Sequence, residues 1–268
     1  MKKVIPFLLL IVLFAGAAWY SFMKPADPVS ELPPAQLEPA PPVTRQTTPP
    51  PPDDGVVTEP VVEAGQEVIP PEPLPTLYES DPEVNRALAD ITGAGPLAEY
   101  LVTDQVISRA VASIDSLTSR QVPVHINPIK PADAKFLTDT EGERLVLSPR
   151  NFARYDGYVS LLQSMDTGSL LTFYERYSPL FQQAWEENGG TGSFSDRLLI
   201  VIDDLLETPD VAGPVYLTQY EAVYLFEIPE LEAMTAGQKV LVRMGSANAS
   251  VVKEKLIEFR AQLKARDG

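Results

Sequence analysis

Two adjacent carboxylate pairs, Glu186 with Glu187 and Asp203 with Asp204, are the residues of this 268-residue chain best suited to chemistry. Hydrolysis of a glycan needs only two carboxyl groups at a fixed separation, one acting as acid and the other as base or nucleophile. Neighbours on a helix point about 100° apart, so neither pair alone forms a matched acid and base, and solvated or ion-paired roles are the competing reading. Four arginines among apolar neighbours, Arg154, Arg176, Arg197 and Arg243, offer a second chemistry. Beside Tyr155 and Tyr177, Arg154, Arg176 or Arg243 would meet a small anion in a pocket. In the structural alternative Arg197 and Asp204 share one helix face seven residues apart and Asp203 points to the core. Arg to carboxylate pairs would then hold the helices in register.

Composition closes most other routes. The chain has no Cys and a single His, His125. Disulfides, thiolate ligands and Cys nucleophiles are excluded, and imidazole metal sites nearly so. His125 lies in the loop Pro123-Val124-His125-Ile126-Asn127-Pro128, and no Gly-x-Ser-x-Gly elbow presents a serine to it. Neither Gly-x-x-x-x-Gly-Lys-Ser/Thr nor Gly-x-Gly-x-x-Gly occurs, so no cofactor or metal is expected. A net charge of −16 without any basic run argues against nucleic acid as a partner.

The elements that must position these residues are mostly helical. Ser80-Asp81-Pro82-Glu83 reads as a capping box opening a helix with Val84, Leu88 and Ile91 on one face and Gly93 at its end. Thr103 or Asp104 should cap a second helix carrying Val106, Ile107, Ala110, Val111, Ile114 and Leu117. Residues 135–138 and 144–147 flank a turn and read as a small hairpin. Ser148-Pro149 opens a helix to about Met165, and Thr167 caps the next, which runs to about Asn188. Its stripe of Leu170, Tyr174, Tyr177, Phe181, Ala184 and Trp185 returns at helical spacing. Pro179 should kink or split it. Residues 197–206 are apolar nearly all round, which predicts a central buried helix. Residues 214–218 and 222–227 look like two short strands, and 235–244 and 248–264 like the last helices. The fold class expected is mainly α, a compact multi-helix domain with one or two short β-hairpins.

The chain before that domain has a different character. After Lys2 and Lys3, residues 4–23 carry no charge and are long enough to cross a bilayer, with Trp19, Tyr20 and Phe22 near the far end. The lysines hold residues 1–3 in the cytoplasm and send the remainder across the membrane by the positive-inside rule. A cleaved signal peptide ending near Ala15-Gly16-Ala17 is the alternative. Residues 24–76 form an acidic, proline-rich linker that cannot bury enough apolar surface to offset its ordering entropy, and is expected to be disordered or extended. Residues 77–268 make the folded domain.

Four ordered motifs carry a family resemblance. They are Asn151-Phe152-Ala153-Arg154-Tyr155; Tyr174-Glu175-Arg176-Tyr177-Ser178-Pro179-Leu180-Phe181-Gln182-Gln183-Ala184; Arg197 through Ile202-Asp203-Asp204-Leu205-Leu206-Glu207-Thr208-Pro209; and Ala236-Gly237-Gln238-Lys239-Val240-Leu241-Val242-Arg243-Met244-Gly245. Together they resemble a bacterial envelope family known as a domain of unknown function, number 3014, over roughly 76–264. Trp185 and the Gly189-Gly190-Thr191-Gly192 loop depart from its pattern, which more often has a Tyr and a Pro-containing turn. The resemblance implies an amino-terminal membrane segment, a Pro-rich stretch and a helical domain, but assigns no activity or site. The expectation is a single-pass protein of the bacterial inner membrane, anchored through residues 4–23. Its periplasmic domain would bind or scaffold an envelope protein. A glycan hydrolase using a carboxylate pair, or a small-anion sensor, is the alternative.

Overall fold

A computed structural model describes residues 73–92, 99–120, 126–130, 135–221 and 223–267. The expected membrane segment 4–23, the linker as far as residue 72 and His125 lie outside them. Among the described residues no helix is long and apolar enough to cross a membrane.

The periodicities hold, and several helix ends differ from expectation. Helix α1 (Asp81–Thr92) buries Val84, Leu88 and Ile91 as predicted. Its capping-box residues are spent elsewhere, because the Ser80 hydroxyl donates to the Leu77 carbonyl at 2.7 Å and Glu83 accepts from Tyr177 at 3.0 Å. Helix α2 (Val106–Ser116) is capped neither by Thr103 nor by Asp104. The Asp81 carboxylate of α1 accepts from the Gln105 and Val106 amides at 2.7 and 3.0 Å, and so satisfies two donors at the start of α2. Gln105 itself is left-handed, with φ 52°.

Strands β1 (Thr138–Glu141) and β2 (Arg144–Leu147) pair with Glu141 opposite Arg144, leaving Gly142-Glu143 as the turn. Gly142 has φ 63°, which a tight hairpin turn requires. The first strand therefore begins three residues later than expected. After a 3-10 helix (Pro149–Tyr155) come α3 (Asp156–Gln163), α4 (Thr167–Glu187) and α5 (Phe194–Leu206). The expected single helix from Ser148 to Met165 is thus two elements. Strands β3 (Tyr216–Tyr220) and β4 (Val223–Phe226) form a second hairpin. Pairs Leu145 with Leu217 and Val146 with Tyr216 join the hairpins into one antiparallel sheet of order β1-β2-β3-β4. The chain ends with α6 (Pro229–Glu232), α7 (Ala236–Arg243) and α8 (Ser246–Asp267).

Helix α4 runs as one element through Pro179. Proline removes the amide that would bond the Glu175 carbonyl, and the Ser178 hydroxyl donates to that carbonyl at 3.1 Å instead. Its cap is Asp166, not Thr167, accepting from the Ser169 amide. The predicted aromatic stripe is buried throughout. Both α2 and α8 pack on the α4 and α5 pair. Helix α5 is less enclosed than its composition suggests, since Leu198, Val201, Ile202 and Leu205 are buried while Ile200 is 55% exposed. The sheet has its own apolar cluster, in which Leu147, Leu217 and Phe226 meet Leu231 and Val242.

The α4 to α5 turn is fitted around one side chain. The Trp185 indole lies over Gly190, where an added Cβ would fall 2.1 Å from its ring atoms. Gly190→Ala should therefore cost about 2 kcal/mol of stability by overpacking, measurable by chemical denaturation. An unchanged midpoint would show that the indole can move aside.

Candidate functional site

The charged residues fall into three separate places. At the first, α1 meets α4. Glu83 Oε1 accepts from the Tyr177 hydroxyl at 3.0 Å and from Arg176 Nη2 at 3.4 Å. Burial and the Glu83 bond push the Tyr177 phenol up to about 12, so it stays protonated as the donor.

At the second, α2 and α7 meet end to end and α5 runs alongside the joint. The Ala236 amide donates to Ser119 O at 2.7 Å, and the Gly237 amide to Leu117 O at 3.0 Å. The start of α7 thereby satisfies carbonyls just beyond the end of α2. Helix α5 ties both ends. Arg197 donates from Nε to Asp115 Oδ1 at 2.7 Å and from Nη2 to the Asp115 carbonyl at 2.9 Å and Thr118 Oγ1 at 2.5 Å. Two turns on, Asp204 accepts from the Thr235 hydroxyl at 2.8 Å, and its carbonyl accepts from Gln238 Nε2 at 2.8 Å. Thr235 and Gln238 form a capping box for α7. A cation thus sits at a helix C-terminus and an anion at a helix N-terminus, the favoured sign in each case. Gly237 permits the approach, because a Cβ there would meet Leu205 Cδ2 at 2.5 Å.

Arg197 and Asp204 do share a face, as the seven-residue spacing predicts, but each serves a different helix end. Asp203 does not turn to the core. It is half-exposed and forms an ion pair with Arg260 Nε of α8 at 2.5 Å. The Glu186 and Glu187 carboxylates accept from Gln182 at 2.8 Å and Gln183 at 2.9 Å, and Glu187 also accepts from Tyr78 at 2.8 Å.

The third place lies between the sheet and α7. Arg243 is 4% exposed, with its guanidinium carbon 4.7 Å from the Phe226 ring centroid. Burial pulls its pKa down to about 10, while Tyr155 and Glu232 act in the opposite sense. Burial pushes the fully enclosed Tyr155 phenol up, with Arg154 and Arg243 opposing. One turn before Arg243, buried Lys239 meets Glu232 Oε1 at 2.5 Å, and Glu232 Oε2 accepts from the Phe226 amide at 2.9 Å. Arg154 reaches Asn151 Oδ1 at 3.5 Å. Tyr155 and Arg243 are therefore brought together, whereas Arg176 and Arg197 belong to the other two places.

A cavity of about 210 Å³ went unread in the sequence. Phe152, the 208–213 loop, Leu241 and the first turns of α8 line it. At its edge Lys253 donates to the Thr208 carbonyl at 2.5 Å and contacts Asp210 at 3.4 Å. Thr208-Pro209 and Gly213-Pro214 mark the loop as a turn, the only sequence signal that pointed there.

These polar residues define a mainly α-helical domain with a four-stranded antiparallel sheet, in which charged side chains tie helix ends and layers. Residues 106–260 match the model of the family described as Protein of unknown function (DUF3014), and the chain belongs to that family. No curated protein and no solved structure matches the chain.

Two expectations follow. Burial pushes the Asp204 carboxyl up, against the Thr235 bond that holds it down. The folded state then binds more protons than the unfolded state above the ordinary Asp range, so this residue's contribution falls as pH rises through that window. Asp204→Asn keeps an acceptor for Thr235 and should match or exceed the parent's melting temperature at neutral pH, with the gap closing in acid. At the third place, Glu232→Ala strands a buried ammonium and should cost about 3 kcal/mol, whereas Lys239→Met should stay within about 1 kcal/mol of the parent. Denaturant unfolding of both variants would test the asymmetry.

Proposed function

We propose that the chain is a binding or scaffold protein of the bacterial cell envelope. In this reading residues 4–23 hold it in the cytoplasmic membrane, residues 24–76 act as an acidic spacer, and the helical domain is presented in the periplasm to another envelope protein. The observation that carries the choice of binder over hydrolase is the engagement of the candidate carboxylates. Asp203 is paired with Arg260, Asp204 holds the start of α7, and Glu186 and Glu187 accept from neighbouring amides of their own helix. A glycosidase acid and base must face a shared gap about 5 to 10 Å wide. These groups instead face the residues that position them. The spacer suits a domain that must reach away from its anchor, since like charges and prolines favour extension.

The test is crosslinking in living cells with the full chain, followed by capture and mass spectrometry of the bait's amino terminus and its companions. An uncleaved bait carrying a stoichiometric envelope protein is the expected result. A bait recovered alone counts against the binder. Release of reducing sugar ends from purified cell-wall glycan by the full chain would favour the hydrolase.

A further inference from the structure

We infer that two copies of this chain associate through the outer face of α8, packed antiparallel about a two-fold axis. Helix α8 buries Val252, Leu256, Phe259 and Leu263 against the domain and turns Glu254, Ile257, Ala261 and Lys264 outward. Ile257 is 57% exposed and, with Ala261, forms the apolar centre of that outer face. The four outward residues are spaced three, four and three apart, the spacing of a helix-packing seam.

The seam is self-complementary in one direction only. A two-fold axis at the level of Phe259 sets Ile257 of one copy against Ala261 of the other, so that a large residue meets a small one on both sides of the axis. The same register sets Glu254 against Lys264 at both ends, closing the apolar centre with two opposite-charge pairs. A two-fold contact uses one patch on both subunits, so the patch must complement its own image. Parallel pairing in register would instead oppose Glu254 to Glu254 and Lys264 to Lys264. Among the described residues neither Glu254 nor Lys264 has an ion-pair partner within the chain, so both charges are available.

The neighbouring helix widens the face. Lys253 bonding Thr208 and Arg260 pairing with Asp203 show that α5 runs antiparallel to α8. Ile200, one turn from Asp203 on α5, stands at the level of the Lys264 end of the seam and is itself 55% exposed. Two copies would bring α5 and α8 of each together as a four-helix layer. The inference stands on this surface alone, whether or not the domain also binds another envelope component.

The test is the mass of the full chain in detergent micelles, read by light scattering on a sizing column over a range of concentrations. Three variants accompany it: Glu254→Lys, Lys264→Glu and the two together. All three changes are at exposed positions, and circular dichroism would confirm that the fold is kept. The parent is expected to be a dimer. Each single reversal places like charges at both ends of the seam and should weaken dimerisation about tenfold or more, whereas the double reversal restores opposite pairs and should return the parent's constant. A parent that stays monomeric throughout overturns the proposal. So do single reversals that dimerise as well as the parent, and so does a double reversal that fails to restore the dimer.

Discussion

The joint between α2 and α7 is the constraint on which the domain depends. Two helix ends far apart in the chain meet end to end, and the carbonyls left over by one are met by amides left over by the other. Each such group would otherwise be desolvated without a partner as the surrounding apolar residues closed over it. Arg197 and Asp204 stand two turns apart on α5, so one rigid helix holds both sides of the joint at a fixed separation. Once α5 is fixed by that joint, α4 follows through the short turn at residues 188–193. The floor against which α8 packs is then set. Gly237 belongs to the same constraint, because the approach of Leu205 leaves no room for a side chain there.

The second apolar cluster is tied to this frame by cations that are themselves buried. Helix α7 contributes Lys239 and Arg243 one turn apart, and both face the sheet rather than water. Glu232 answers Lys239 and also takes the Phe226 amide, so one carboxylate secures a helix and a strand together. Arg243 rests against the Phe226 ring, where the quadrupole compensates part of the hydration it has lost. The arrangement is more costly to assemble than an apolar one, and its value lies in specifying one register of α7 against the sheet. A slip by one turn would leave an ammonium or a guanidinium against aliphatic side chains.

How much of this was legible in the sequence depends on the range of each interaction. Periodicity is local, so the buried faces of α1, α2 and α4 could be read from Val84, Leu88 and Ile91, from Val106 through Leu117, and from the aromatic stripe. The cap of α4 misses by one residue, Asp166 for Thr167, and those of α1 and α2 are misread because their partners are not local. Asp81 is written as the first turn of α1, yet its carboxylate serves α2, and Glu83 leaves its expected role for Tyr177 and Arg176 more than ninety residues away. The Arg197 and Asp204 face was legible from a seven-residue spacing, but their partners Asp115 and Thr235 were not, because nothing in the spacing says which helix ends lie alongside. The two hairpins were legible separately. Their union into one sheet rests on the pairing of β2 with β3, and a long helical segment separates those strands.

Trp185 and residues 189–192 make one structural unit. The indole needs space beyond the end of α4, and the residue that would intrude is position 190. Only glycine leaves that space, since the missing Cβ is where the ring lies. Gly189 and Gly192, with φ of 83° and 75°, carry the chain around the ring in a left-handed conformation that glycine adopts without strain and proline at those positions could not. Gly190 then donates its amide to the Trp185 carbonyl at 2.9 Å, and the indole nitrogen donates to Thr191 O at 3.4 Å. The ring reaches Phe194 at the start of α5, with centroids 6.2 Å apart, and so couples the turn to the aromatic core. Trp185 and the glycines after it therefore act together, the ring filling the space that Gly190 leaves and joining the end of α4 to the start of α5.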